Sequence, residues 1–505
     1  MTTTELTTTA HQIEQLRDHL LQADDLERIA FLYCSYSGNR LLVEEIVPVD
    51  DDKYDTRHAT GCRPDLAVER DLVQTCINRG MHPVIIHSHP FHEAEAVPGF
   101  SRHDEELMDG LHRMVTGLNQ DTTVGFAVLG QQSINTRVYD PGADDATDLP
   151  VTVTGDWLID TPLITPNPKP AADAAINQNR YDRNIRAITA RGQQQLVETH
   201  IGLVGVGGLG TIKAEEFARY GIGELTIVDP DIVEESNLPR LFGAYDHHLD
   251  RPKVEVVKEH LYRCNSDITV NSVQAPAEDA ADVLKQCDLL VAGVDQISAR
   301  MWLNQFAVRH LIPYVDAGVV IDTEDEDTIT AMEGYIQVIT PGATACFDCM
   351  DRGDPEQARI ESLSDEALQE EVERGYIDET TLSPEPAVVP LNGVIASKTV
   401  QTVAKLVTGY DAPDGFLRFE GIDNTLETIT IRPRATCQTC GNNGALGRGD
   451  RNATADEFDA TQIDIDTTGL EAEIGTVAES SADEAGSPLD FLPEDSDGFP
   501  GQDEA

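Results

Sequence analysis

Three groups of residues in this 505-residue chain have the types and spacing that chemistry needs. The first is His200-Ile201-Gly202-Leu203-Val204-Gly205-Val206-Gly207-Gly208-Leu209-Gly210, an apolar strand running into a glycine-rich turn, with a helix expected from about Thr211. Glycines at 205, 207, 208 and 210 let the backbone approach a phosphate chain, and the N–H groups opening the next helix face the anion. A second strand, Glu224–Val228, ends in Asp229, whose carboxylate can hydrogen-bond a ribose hydroxyl. The second group is two C-x-x-C pairs, Cys346/Cys349 and Cys437/Cys440. Two-residue spacers let both sulfurs of a pair face one tetrahedral ion, so the four cysteines fit a structural zinc site. The third is His87-Ser88-His89 at a strand end, followed by Ser101-Arg102-His103-Asp104. Two histidines and a carboxylate give three ligands and leave a fourth position for water, the pattern of a hydrolytic zinc centre.

The glycine turn and its acid fit NAD as well as ATP, and the following residues separate the two. Ser236-Asn237-Leu238-Pro239-Arg240 follows Asp229-Pro230-Asp231 at a spacing with no role in hydride transfer. Together with Arg180-Tyr181-Asp182-Arg183, Arg251-Pro252-Lys253 and Gly293-Val294-Asp295, it makes the chain from about Arg180 to Gly441 resemble the ubiquitin-activating/ThiF/MoeB adenylyltransferases. The resemblance implies an ATP site. Asp229 would hold the ribose, Asn237, Arg240 and Lys253 the triphosphate, and Asp295 a Mg²⁺ ion. Arg183 would reach the γ-phosphate of the neighbouring subunit in a homodimer. Attack of a carboxylate on the α-phosphate builds charge that such cations stabilise. The same family carries a Cys₄ zinc. Leu241 stands where the family commonly has glutamine.

The histidine group resembles the JAMM (JAB1/MPN/Mov34) metalloproteases. That resemblance implies His87, His89 and Asp104 as zinc ligands and Glu27 as general base, with Ser101 supporting the tetrahedral intermediate. The interval from His89 to Ser101 is longer than the family's usual one, which leaves His92 and His103 as alternative ligands. Glu44 or Glu45 could replace Glu27. Ser101-x-x-Asp104 is also a helix capping box, which needs no metal.

The elements that must position these groups read as an α/β protein. A helix over 10–22, strands at 29–33 and 41–47, a helix over 64–79, a strand at 84–86, a helix over 101–114 and a strand at 123–129 make an N-terminal α/β or α+β domain, residues 1–160. Residues 161–177 contain Pro162, Pro166, Pro168 and Pro170 and read as a linker. Residues 178–446 alternate strands with helices, as in a largely parallel, doubly wound Rossmann-like sheet. Buried-type strands are expected at 201–204, 225–228, 288–292 and 314–317. Residues 354–379 form a charged helical insertion, 391–408 a helix, and 447–505 an acidic disordered tail.

Net charge is −54, and Asp450–Ala505 holds 17 acids and one base, so most of the charge lies elsewhere. Such repulsion is screened in high salt, which points to a cytoplasmic protein of a salt-rich cell and excludes direct binding to nucleic acid or an anionic membrane. No apolar run is long enough to span a bilayer. The odd cysteine count, nine, argues against a disulfide scaffold.

The two resemblances imply a bifunctional enzyme. It would adenylate the C-terminal glycine of a ubiquitin-like modifier or sulfur carrier ending in Gly-Gly, and cut modifier precursors or conjugates. Fusion would raise effective concentration if both sites handle one partner. The competing readings are a non-catalytic modifier-binding scaffold and an NAD-dependent oxidoreductase. No cysteine lies between Cys349 and Cys437, and Cys264 and Cys287 read as small apolar core residues. No thioester between enzyme and modifier is therefore expected.

Overall fold

A computed structural model of the chain describes residues 2–90, 97–158, 163, 176–324, 328–377, 386–441 and 443–451. In the N-terminal half these are β1 (Glu5–Thr9), α1 (Ala10–Leu20), β2 (Ile29–Ser37), β3 (Arg40–Pro48), β4 (Tyr54–His58), β5 (Gly61–Pro64), α2 (Leu66–Asn78), β6 (His82–Ser88), α3 (Arg102–Leu118), β7 (Val124–Leu129), β8 (Ile134–Tyr139), β9 (Thr147–Asp148) and β10 (Val151–Thr154). Helix α1 starts where Thr9 and Gln12 form a reciprocal capping box. Its apolar stripe of Ile13, Leu16 and Leu20 packs on one face of an eight-stranded sheet in the order β10-β1-β3-β2-β6-β7-β8-β9. Helices α2 and α3 cover the other face through Val73, Met108, Leu111 and Val115. The central strand β6 is thus buried on both faces, as the run Val84-Ile85-Ile86 requires. The sheet is mixed. β6 and β7 are parallel, whereas β2 runs antiparallel to both β3 and β6.

The second half contains α4 (Gln178–Glu198), β11 (His200–Val204), α5 (Gly208–Tyr220), β12 (Glu224–Val228), α6 (Lys253–Cys264), β13 (Thr269–Val273), α7 (Ala281–Leu284), β14 (Leu289–Ala292), α8 (Ile297–His310), β15 (Tyr314–Glu324) and β16 (Thr328–Ile339). Then follow α9 (Pro355–Glu361), α10 (Asp365–Glu373), α11 (Val389–Thr408), β17 (Phe416–Glu420) and β18 (Thr425–Thr428). The sheet order is β13-β12-β11-β14-β15-β16-β17-β18. The first five strands are parallel, and the last three continue the sheet antiparallel. The parallel expectation therefore holds only for the nucleotide-side strands. Helix α5 begins at Gly208, three residues before the expected Thr211, because Gly207 is already its N-cap. It ends at Gly221, whose φ of 95° suits glycine. The insertion at 354–379 is helical in α9 and α10, and its last residues lie outside the described ones. No helix among the described residues is long and apolar enough to cross a membrane.

Both sheets belong to one compact unit. The β2–β3 turn docks on the N-terminal edges of β14 and β15. There Ser37 Oγ lies 2.8 Å from His310 Nδ1, and Arg40 donates to the Lys285 carbonyl at 3.1 Å. Thr154 Oγ1 donates to the Leu311 carbonyl at 2.8 Å. Almost all of the expected linker lies outside the described residues, as does the tail beyond Arg451. The five tail residues that are described, Gly447–Arg451, are packed rather than loose. Gly449 N–H donates to the Arg309 carbonyl at 2.9 Å, and Asp450 accepts from Gly38 N–H at 2.7 Å while pairing with Lys285 at 2.6 Å. Arg451 Nε donates to Glu44 Oε2 at 3.0 Å. Hydrogen bonds to charged groups contribute about 1.5–3 kcal/mol each, so a chain ended at Leu446 should melt at least a few degrees below one ended at Arg451. Equal melting temperatures by calorimetry would show that these contacts do not hold the halves together.

Candidate functional site

The end of β6 and the start of α3 bring the third residue group together. His87, His89 and Asp104 each offer one ligand atom, all within 4.8 Å of one another. His87 Nε2 lies 3.2 Å from Asp104 Oδ1 and 3.2 Å from His89 Nε2, and His89 Nε2 lies 3.7 Å from Asp104 Oδ2. All three are buried. The capping box is also real. Ser101 Oγ accepts from Asp104 N–H at 3.2 Å, and Asp104 Oδ2 accepts from Ser101 N–H at 2.6 Å. The cap and the cluster are one device, because the cap fixes the carboxylate that His87 meets. Burial raises the Asp104 pKa, but hydrogen bonds from His87 and Ser101 outweigh it and hold it near about 2. Glu27, just ahead of β2, places Oε1 3.7 Å from His89 Nε2. Burial, with Asp104 nearby, pushes its carboxyl up to about 8.

The alternatives left open by sequence sort as follows. His103 is exposed and stands apart from the cluster, with its ring near Gly61. His92 lies outside the described residues. Glu44 binds Ser35 and Arg451, and Glu45 binds Arg79, so neither faces the histidines.

The nucleotide group gathers at the C-terminal ends of the parallel strands. Gly205 has φ 88°, and a Cβ there would come 2.6 Å from the Gly293 carbonyl carbon. A Cβ on Gly208 would come 2.7 Å from Asn392 Nδ2 and 3.0 Å from Arg240 Cγ and Cδ, so these side chains close directly on the turn. A Cβ on Gly207 would meet open space, and one on Gly210 would overlap the Gly205 carbonyl. Asp229 is 5% exposed, and burial raises its pKa. Its carboxylate accepts from Val206 N–H at 2.8 Å and Asp231 N–H at 2.9 Å, which ties the acid to the glycine turn. Lys253, the first residue of α6, puts Nζ 2.7 Å from Asp231 Oδ2. Asn237 is buried, with Oδ1 accepting from Glu234 N–H at 3.2 Å, and Arg240 donates to the Ser236 carbonyl at 2.6 Å. Asp295 is exposed just past β14, and Arg183 is exposed on α4.

Cys346, Cys349, Cys437 and Cys440 converge as expected. Cys346 lies 3.8 Å from Cys349 and 3.5 Å from Cys437, and Cys349 lies 3.4 Å from Cys440, sulfur to sulfur. Four sulfurs about 2.3 Å from one tetrahedral ion sit about 3.8 Å apart, so the cysteines fit zinc. Arg434 N–H points at Cys349 Sγ at 3.3 Å, a donor suited to a thiolate.

A family model described as the ThiF family matches residues 181–440, which span this turn, its cations and the four cysteines. The chain belongs to the ThiF family. The sulfur carrier protein ThiS adenylyltransferase of Escherichia coli (strain K12) is 27% identical over 274 residues, 53% of this chain and 96% of that protein. The molybdopterin-synthase adenylyltransferase of the same strain is 28% identical over 269 residues, 52% of this chain and 96% of that protein. Ubiquitin-like modifier-activating enzyme 5 of Drosophila willistoni is 25% identical over 279 residues, 52% of this chain but only 63% of that protein.

The ThiF-family half holds three site residues that local sequence spacing did not reveal. Asn392, at the start of α11, is buried with its Oδ1 lacking a hydrogen bond among the described residues, beside Gly208. Lys213 is fully buried and donates to the Ala292 carbonyl at 2.5 Å, just before Gly293-Val294-Asp295. Burial lowers its pKa to about 7. Glu361 accepts from Ile297 and Ser298 N–H at 3.2 and 2.8 Å, capping α8 beside Asp295. Only Lys213 left a sequence signal, a lysine inside an otherwise apolar helix stripe. For the cysteine site, Cys437→Ser should lower zinc by one ion per chain, read by metal analysis, and unfold the second half, since structural zinc contributes on the order of 10 kcal/mol. Full zinc content in that variant would remove the site.

Proposed function

We propose that the ThiF-family half activates the C-terminal carboxylate of a small ubiquitin-like modifier or sulfur-carrier protein with ATP. The observation that carries this reading is the set of Arg240, Asn392, Lys253 and Asp229 gathered around the Gly205–Gly210 turn. The turn and the first N–H groups of α5 take the phosphates. Asp229 reaches the ribose. Asp231 holds Lys253 until the triphosphate offers a better anion, and Arg240 and Asn237 lie on the same side. Asp295 would hold Mg²⁺, which neutralises phosphate charge. The carboxylate attacks the α-phosphorus, the bond to the β-phosphate oxygen breaks, and pyrophosphate leaves from an acyl-adenylate. The names of the relatives support this substrate class, and by the family resemblance Arg183 would serve the neighbouring site of a homodimer.

Purified protein in molar KCl should exchange pyrophosphate into ATP only when a protein ending in Gly-Gly is present. Lys253→Ala and Asp295→Ala should each slow exchange at least ~10²-fold. Tight NADH binding without ATP exchange would favour the oxidoreductase instead.

A second reading concerns the N-terminal half, and the convergence of His87, His89, Asp104 and Glu27 favours it. His87, His89 and Asp104 would hold zinc, which supplies a Lewis acid and a nucleophilic water at neutral pH. Glu27 accepts and returns the proton, His87 and His89 keep their Nε2 atoms together, and Ser101 fixes Asp104 and keeps its hydroxyl at the site. The bond cut is the one after the modifier's terminal glycine. Glu27→Gln should retain zinc yet lose cleavage of a modifier fusion by ~10²-fold or more, because a proton carrier is not a ligand. Normal cutting by that variant would remove Glu27 from the reaction, and no cutting by the unaltered chain would favour the scaffold.

A further inference from the structure

Helices α5 and α6 both start at the nucleotide turn, α5 at Gly208 and α6 at Lys253. Near their far ends lies another set of ligand-type side chains. Glu215, His260 and Cys264 each bring one donor atom within 4.8 Å of the others. Glu215 Oε2 lies 2.7 Å from His260 Nε2, and Cys264 Sγ lies 3.6 Å from the same nitrogen. Cys264 is therefore not the apolar core residue expected from sequence. It is half-buried at the last position of α6, among polar groups.

Two chemistries use these three residue types, and the geometry separates them. A nucleophilic relay needs the acid and the thiol on opposite ring nitrogens, one fixing the tautomer while the other takes the proton. Here acid and thiol both face Nε2, so the relay is not formed. Three unlike donors turned toward one point make a cation site. Zinc at about 2.3 Å from sulfur and about 2.05 Å from nitrogen, at the tetrahedral angle, sets those two atoms about 3.6 Å apart. That is the separation present. The oxygen–nitrogen pair, now at hydrogen-bond distance, would open to about 3.4 Å, a small rotation of one glutamate.

One neighbour supports the same reading, and one must move for it. Gly243 has φ 81°, and a Cβ there would come 2.7 Å from His260 Cβ and 2.8 Å from Nδ1. The ring packs on a bare backbone, which holds Nε2 toward the other donors. Arg219 donates from Nε to Glu215 Oε1 at 2.7 Å and approaches Cys264 Sγ at 3.6 Å. This guanidinium competes with an incoming ion and must turn away for it, which a side chain 58% exposed can do into solvent.

We propose that Glu215, His260 and Cys264 bind a borderline-soft divalent metal ion such as zinc, with a fourth position open to solvent. The thiol proton leaves as the ion enters, histidine binds neutral, and the glutamate binds as carboxylate. The ion clamps α5 to α6, the two helices whose first residues face the phosphates.

The test is alkylation of the full chain by iodoacetamide, followed at the Cys264 peptide by mass spectrometry, with and without added Zn²⁺. Zinc should slow modification of Cys264 roughly tenfold, since a coordinated sulfur is a poorer nucleophile than a free thiolate. His260→Ala and Glu215→Gln should each abolish the protection. Unchanged shielding of Cys287, buried in the same half, shows that the variants fold. A Cys264 rate indifferent to zinc, or equal protection in His260→Ala and Glu215→Gln, would overturn the proposal.

Discussion

The nucleotide half is built on backbone touching backbone. Gly205, at the end of β11, lies against Gly293, at the end of β14, and Gly210 of α5 closes on the Gly205 carbonyl. A methyl group at any of these positions would collide with main chain, which cannot move aside as a side chain can. That closeness sets α5 directly over the strand ends, with its first N–H groups toward the phosphates. It also places Asp295 two residues beyond the contact. Asp229 reinforces the arrangement by holding Val206 N–H, and Lys213 does so from beneath by holding the Ala292 carbonyl.

Much of this was legible because it is local. The glycine turn, the acid after β12, the lysine opening α6 and the paired cysteines are each read within a few residues, and the fold places them where that spacing implied. Elements whose burial comes from distant partners were not legible. Strand β1, Glu5-Leu6-Thr7-Thr8-Thr9, is polar in composition yet buried throughout, because β3 and β10 flank it. Its hydroxyls are satisfied within the fold, as by Thr7 to Glu5 and Thr8 to Gln12. Strand β13 alternates without a strong apolar signal and gains its place only as the sheet edge beside β12. Asn392 meets Gly208 and Arg451 meets Glu44 across long stretches of chain, contacts that no periodicity encodes.

The capping box at Ser101 shows that a plain structural motif and a cluster able to hold a metal need not compete. The hydrogen bonds that start α3 orient the carboxylate of Asp104, so the residue type serves both purposes. Where position in a predicted core element stood in for burial, the reading held for Cys287 and failed for Cys264, because helix ends mix apolar spacing with the polar company of neighbouring helices.

The docking of the two halves has a geometric consequence. Strand β2 begins at Ile29, paired with His87, and ends at Ser37, which contacts His310. Nine residues of strand span about 27 Å, so the histidine cluster stands at the far end of its own sheet. On the other side, His310 and Leu311 precede β15, while the nucleotide turn lies past the opposite ends of those strands. Among the described residues the histidine cluster therefore lies about a strand's length from the seam between the halves. Whatever that cluster binds is framed, among the described residues, by the N-terminal half alone.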